Sequence, residues 1–117
     1  VSALLAVDPG MAIDPTGLAA ARVGLDRGAV RVMVDLLAEM PSPCPAEAIA
    51  ALVEAALQEL WSCMQAAPLV VVDASNNLAL LPLLGRILPW KRIVALAIVA
   101  GEGVQVRHLR LDDLPAA

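Results

Sequence analysis

The stretch LLAVDPGMAIDPTGLAAARV, residues 4–23, decides how the chain is read. An apolar run, SALLAV (2–7), ends in Asp8-Pro9-Gly10, and a second Asp-Pro follows at Asp14-Pro15 before another apolar run begins at Thr16. A continuous apolar segment bounded by turn residues reads as a central strand followed by a turn. A strand buried on both faces has little room for a carboxylate unless something pairs with it. Asp8 therefore either opens a turn or holds a cation.

Working outward, TGLAAARV (16–23) and AVRVMVDLLAEM (29–40) flank GLDRG, whose Asp-Arg-Gly is hairpin chemistry. Val30, Val32 and Val34 alternate with Arg31, Met33 and Asp35, the period of a strand. These segments predict three consecutive antiparallel strands. PSPCP (41–45) breaks the chain, with Pro45 placed at the first turn of a helix. From Ala46 to Ala66, Ile49, Leu52, Val53, Ala56, Leu57, Leu60, Trp61 and Met64 form one stripe at helical spacing, which places Trp61 in the core. PLVVVDASNN (68–77) then reads as a buried strand ending in Asp73, LALLPLLGRIL (78–88) as a helix that Pro82 starts or kinks, and RIVALAIV (92–99) as a further strand. VQVRHLRL reads as a short edge strand, and DDLPAA as a tail.

A meander followed by right-handed parallel crossovers yields one mixed sheet with helices packed on it, strand order 3-2-1-4-5. If the fourth strand pairs with the first, Asp8 and Asp73 stand side by side at the carboxyl ends of parallel strands, where open sheets place their sites. Two adjacent carboxylates repel, and Mg²⁺ or Mn²⁺ between them relieves that repulsion. Such ions activate water for phosphodiester hydrolysis. The competing reading makes Asp-Pro-Gly and Asp-Ala-Ser-Asn-Asn turn and helix-cap motifs.

At 117 residues the chain is read as a single domain, 1–117; it is 60 % hydrophobic with a mean hydropathy of +0.77 and has no Phe or Tyr. Ala, Val and Leu must make the core, and the surplus of apolar surface predicts a homo-oligomer or a partner domain. The longest apolar run, near Ile93–Ala100, is too short to cross a bilayer, and the N-terminus lacks signal-peptide features. Cys44 and Cys63 have no neighbouring ligands and read as buried free thiols in a reducing cytoplasm. The net charge of −4, without a basic run, speaks against a dedicated nucleic-acid-binding module but not against an acidic nuclease site. His108, Arg107 and Arg110 read as surface residues, Asp112 and Asp113 as a solvated tail.

LLAVDPG followed by TGLAAARV resembles the first hairpin of RNase H-like metal nucleases. VDPG…DPTGLA together with VVVDASNNLALLPLL resembles, within that superfamily, the nuclease domain of phage terminase large subunits. Asp8 matches the first acid, Asp14-Pro15-Thr16 the motif before the second strand, and Asp73 the second acid. The resemblance implies an RNase H-like fold and Mg²⁺- or Mn²⁺-dependent cleavage of double-stranded DNA during genome packaging. Asp8 and Asp73 would be catalytic metal ligands and Asp14 an assisting one. Other terminase or packaging components would be partners, in the cytoplasm of a bacterial host. No phosphate-binding loop of an ATPase motor is present in these residues.

Two departures stand out. Ser75-Asn76-Asn77 replaces the glycines usual after the second acid, and the family's third acid lies on a C-terminal helix that Ala117 precedes, so the resemblance implies a fold truncated at its C-terminus. A catalytically inactive prophage-derived remnant, kept as an oligomeric or interaction domain, is the alternative. Holliday-junction resolvases resemble the first stretch equally, although their second acid is usually Glu. An actin-like or sugar-kinase-like nucleotide-binding module ranks last, because it expects a longer chain with two such halves.

Overall fold

The computed structural model describes residues 2–10, 13–64, 68–75, 79–101 and 103–108. Strands β1 (Ser2–Asp8), β2 (Thr16–Asp26) and β3 (Ala29–Met40) form the antiparallel meander. Helix α1 (Ala46–Met64) leads to β4 (Leu69–Asp73), and α2 (Leu80–Ile87) and a short 3₁₀ turn lead to β5 (Ile93–Gly101), which turns back into β6 (Gly103–His108). The sheet order is β3-β2-β1-β4-β5-β6, with β4 parallel to both β1 and β5 and with β6 antiparallel to β5. This is the expected order 3-2-1-4-5 with the edge strand β6 added.

Local chemistry accounts for the joints. Arg27 and Gly28 both take positive φ, 54° and 80°, the backbone of a two-residue hairpin turn matched to strand twist. That tight turn lets β2 run to Asp26, three residues beyond the expected Val23. The Pro45 carbonyl accepts the Ala48 and Ile49 N–H groups as α1 begins. Pro82 is the third residue of α2, where its missing N–H costs no helical bond, so it starts the helix rather than kinking it.

The core lies on one face of the sheet. Leu5 and Val7 of β1, Leu18 and Ala20 of β2, Val70 and Val72 of β4, and Ile93 and Ala95 of β5 are buried beneath Ile49 and Val53 of α1 and Leu80, Leu81 and Leu84 of α2. Residues between them in sequence, such as Leu4, Ala6, Ala19 and Val71, are only half buried, because among the described residues both helices pack on the same side. Along the outer strand the exposure is greater: Val30, Val32, Val34 and Leu37 are all exposed. Cys44 is buried as expected and directs its thiol to the Met40 and Pro41 carbonyls. Cys63, expected to be buried, is exposed near the end of α1. Trp61, expected in the core, is 57 % exposed. Burial along the α1 stripe falls from Ile49 and Val53, which are buried, through Leu57 and Leu60, which are half buried, to Trp61, so apolar spacing near the end of the helix no longer implies burial.

Arg22 on β2 and Asp35 on β3 form a paired contact, Nε to Oδ2 at 2.8 Å and Nη2 to Oδ1 at 2.9 Å. Hydrogen bonding to Arg22 and its positive charge hold the Asp35 carboxyl below its ordinary value. The pair's contribution is therefore complete above the unfolded carboxyl pKa and disappears as the pH falls through the lowered folded value. Asp35→Asn is expected to be slightly less stable than the native chain at neutral pH, and the two to converge below about pH 4. Urea midpoints measured against pH check this; curves that stay parallel on acidification would contradict it.

Candidate functional site

The parallel register of β1 on β4 runs Leu4↔Leu69, Leu5↔Val70, Ala6↔Val71 and Val7↔Val72, so the next residues, Asp8 and Asp73, finish neighbouring strands. Strands in a sheet are about 4.8 Å apart, within bridging distance for two carboxylates and one cation. Because side chains alternate, Asp8 falls on the same face as Ala6, and Asp73 on that of Val71, opposite the helices. Both acids line one shallow depression of about 370 Å³, with Ala6, Gly17, Ala19, Leu37, Val71 and Leu96 among its other walls. Asp8 is exposed and Asp73 half buried.

The two acids are held differently. Asp73 Oδ1 accepts from the Ser75 N–H at 3.0 Å and from the Ser75 hydroxyl at 2.6 Å, a local turn that fixes the carboxylate at the strand end. The cap reading and the ligand reading are thus compatible, since one oxygen serves the turn and Oδ2 has no hydrogen bond among the described residues. The ladder continues past Asp73 through the Ala74 N–H to the Leu96 carbonyl at 2.8 Å, which keeps the strand end rigid.

Beyond Asp8 the loop doubles back. The Gly10 N–H donates to the buried Thr16 hydroxyl at 3.0 Å, and the Asp14 N–H to the Gly10 carbonyl at 3.3 Å. A Cβ on Gly10 would collide with the carbonyls of Asp14 and Pro15, so only glycine permits this closure. Thr16 therefore has a structural task in the Asp14-Pro15-Thr16 motif. Asp14 itself is exposed in the connecting loop, off the strand row that carries the other two acids. Asn76 and Asn77, together with Arg110, Asp112 and Asp113, lie outside the described residues.

One acid escaped the sequence reading. Asp8 pairs with Gly17, and Gly17 with Glu39, so Glu39 stands on the same cross-sheet row with only a glycine between. At two strand spacings, roughly 9–10 Å, it adds negative potential to the row but is too far to share an ion with Asp8. On the other side the row continues from Asp73 to Leu96 and on to His108 of β6. Strict alternation hides the Glu39 placement. The register breaks between Ala20 and Ala21, leaving Asp35 unmatched, so Leu37 and Glu39 share a face with Val30, Val32 and Val34 although their numbers differ in parity.

Two hard carboxylates at an accessible sheet end suit Mg²⁺ or Mn²⁺, which keep several waters and take few protein ligands. No group of three or more metal-ligating side chains occurs among the described residues. The donor set fits one hydrated divalent ion held by Asp8 and Asp73.

An antiparallel meander continued by parallel strands in this order, with helices packed on it, is the RNase H-like fold. Among solved structures the chain is similar to RuvC of Thermus thermophilus, with a TM-score of 0.50 and 17 % identity over 80 % of this chain. The match takes in 60 % of the RuvC chain, so this chain spans less than two thirds of that protein. No protein-family model and no curated protein sequence matches it. No helix among the described residues is long and apolar enough to cross a membrane.

Proposed function

We propose that the chain is a divalent-metal-dependent DNA nuclease domain, in which Asp8 and Asp73 hold Mg²⁺ or Mn²⁺. The observation that carries this reading is the register of β1 on β4, which sets the two acids at neighbouring strand ends on the accessible face. When bound, the ion supplies Lewis-acid stabilisation of phosphate oxygen and lowers the pKa of a coordinated water. The chain's own residues set the donor geometry: the Ser75 turn orients Asp73, and the Thr16–Gly10 bond closes the loop that carries Asp14. In this role Asp14 assists from the loop.

The finer reading is the nuclease domain of a phage or prophage terminase large subunit, acting on double-stranded DNA with other packaging components in a bacterial cytoplasm. An Asp rather than a Glu at the end of β4 favours it. A Holliday-junction-resolvase-like nuclease is the second reading, favoured by the structural likeness to RuvC. Exposed apolar side chains along β3 favour assembly with a further copy in either case. Mn²⁺-dependent cleavage assayed on supercoiled plasmid, linear duplex and a synthetic four-way junction tests the reading. Preference for duplex and plasmid supports the terminase role, and symmetric junction cutting supports the second. The absence of cleavage on all three, with Mn²⁺ bound, returns the chain to a structural remnant.

A further inference from the structure

The β2–β3 hairpin has two unlike sides. On the side that continues the helix-covered face it carries Arg22, paired with Asp35, and Arg31, paired with Asp26. The opposite side, shared with Asp8 and Asp73, carries Leu25 of β2 and Val30, Val32, Val34 and Leu37 of β3, with no charge until Glu39. Each of these five aliphatic side chains is more than half exposed. Ion pairs suit the first side to water, and the second has none.

The aliphatic stripe matches its own reverse. Because Asp35 is the unmatched residue, Val30, Val32, Val34, Leu37 and Glu39 follow one another at an even step of about 6.6 Å. One further step before Val30 lies the turn, where Arg27 is exposed. Reversal about a point between Val32 and Val34 exchanges those two, exchanges Val30 with Leu37, and exchanges the turn with Glu39. Neither Arg27 nor Glu39 has an ion pair among the described residues. A second copy laid antiparallel on this side meets aliphatic with aliphatic along the stripe and cation with anion at both ends. The five side chains offer on the order of 600 Å² per copy, so a symmetric pair buries about 1,200 Å², the lower end of stable interfaces.

We propose that this face joins two copies of the chain, sheet against sheet about a two-fold axis, with the β3 strands antiparallel and Arg27 of each copy against Glu39 of the other. β1 begins at Ser2 opposite Val23, close to the centre of the stripe, so the bodies of the two sheets extend in opposite directions and leave Asp8 open. Leu37 also lines the depression that holds Asp8 and Asp73, so the hairpin of the second copy adds a wall to it. This gives a definite arrangement to the assembly favoured above, and it holds whether or not the acids bind metal.

Sedimentation velocity of the full chain in EDTA reads the interface without metal or cleavage. The native chain is expected to dimerise in the micromolar range, and a monomer throughout that range overturns the proposal. Arg27→Asp keeps a residue that tolerates positive φ before Gly28, and Glu39 is exposed, so neither reversal disturbs the fold. Arg27→Asp and Glu39→Lys are each expected to weaken the dimer about 10-fold or more, because each sets like charges together at both ends. The double variant, Arg27→Asp with Glu39→Lys, is expected to return to within severalfold of native affinity. Val32→Lys at the centre should leave a folded monomer, with circular dichroism as the check on folding. Single reversals without effect, a double variant as weak as either single one, or a dimer that survives Val32→Lys overturns the arrangement. Because no cleavage is measured, loss of the dimer leaves the roles of Asp8 and Asp73 untouched, and inactive acids leave the dimer untouched.

Discussion

Asp73→Asn is expected to lower Mn²⁺-dependent cleavage by at least about 100-fold, the scale on which loss of one electrostatic group at a reacting phosphate is felt. Asn retains an oxygen for the Ser75 N–H and hydroxyl, so the turn after β4 survives the change. It removes one of two like charges on neighbouring strand ends, so the metal-free variant should melt no lower than the native chain. Mn²⁺ binding, read by electron paramagnetic resonance of the free ion, should weaken together with the rate. Asp8→Asn is expected to behave alike, since in the proposed site both acids hold the same ion. Native rates in both variants would remove these residues from the chemistry, and a large fall in melting temperature would assign them to the fold instead.

Leu5→Ala should have the largest effect on stability. Leu5 is fully buried in the centre of β1, between Ala20 of β2 and Val70 of β4 and beneath the two helices. Truncation leaves a cavity, and the small side chains beside it cannot grow to fill the space, so a loss of about 3 kcal/mol is expected. For a domain near this size that lowers the thermal midpoint by about 15 °C. Val71→Ala, on the half-buried opposite face, should cost no more than about 1 kcal/mol. Denaturation of both variants measures the difference between the two faces. Equal losses would mean that the face bearing Asp8 and Asp73 is also covered in solution.

The elements were legible in the sequence wherever one local rule dominated. β3 occupies the expected 29–40 because valines alternate with polar residues after a turn that only Arg27-Gly28 geometry closes. Helix α1 starts at the expected Ala46 because Pro45 ends the preceding irregular segment. The adjacency of Asp8 and Asp73 followed from chain order, since a right-handed crossover leaves β4 little choice but the free edge of β1. What stayed hidden depends on distances that periodicity does not encode. Trp61 repeats the spacing of Leu57, but burial along α1 fades towards its end, from Val53 buried to Leu57 half buried to Trp61 exposed. Glu39 reaches the acidic row only because one unmatched residue in β3 reverses the facing of everything after it.

That same irregularity in β3 governs how the molecule meets its own kind. A valine-rich outer strand of uniform pleat would be an open template on which further chains could stack into fibrils. Here the pleat is interrupted at Asp35, the residue left unmatched opposite the Ala20–Ala21 step of β2, and Arg31 adds a second charge to the strand. An incoming extended segment finds no unbroken row of backbone partners, so the domain resists fibrillar growth while still exposing its apolar side chains.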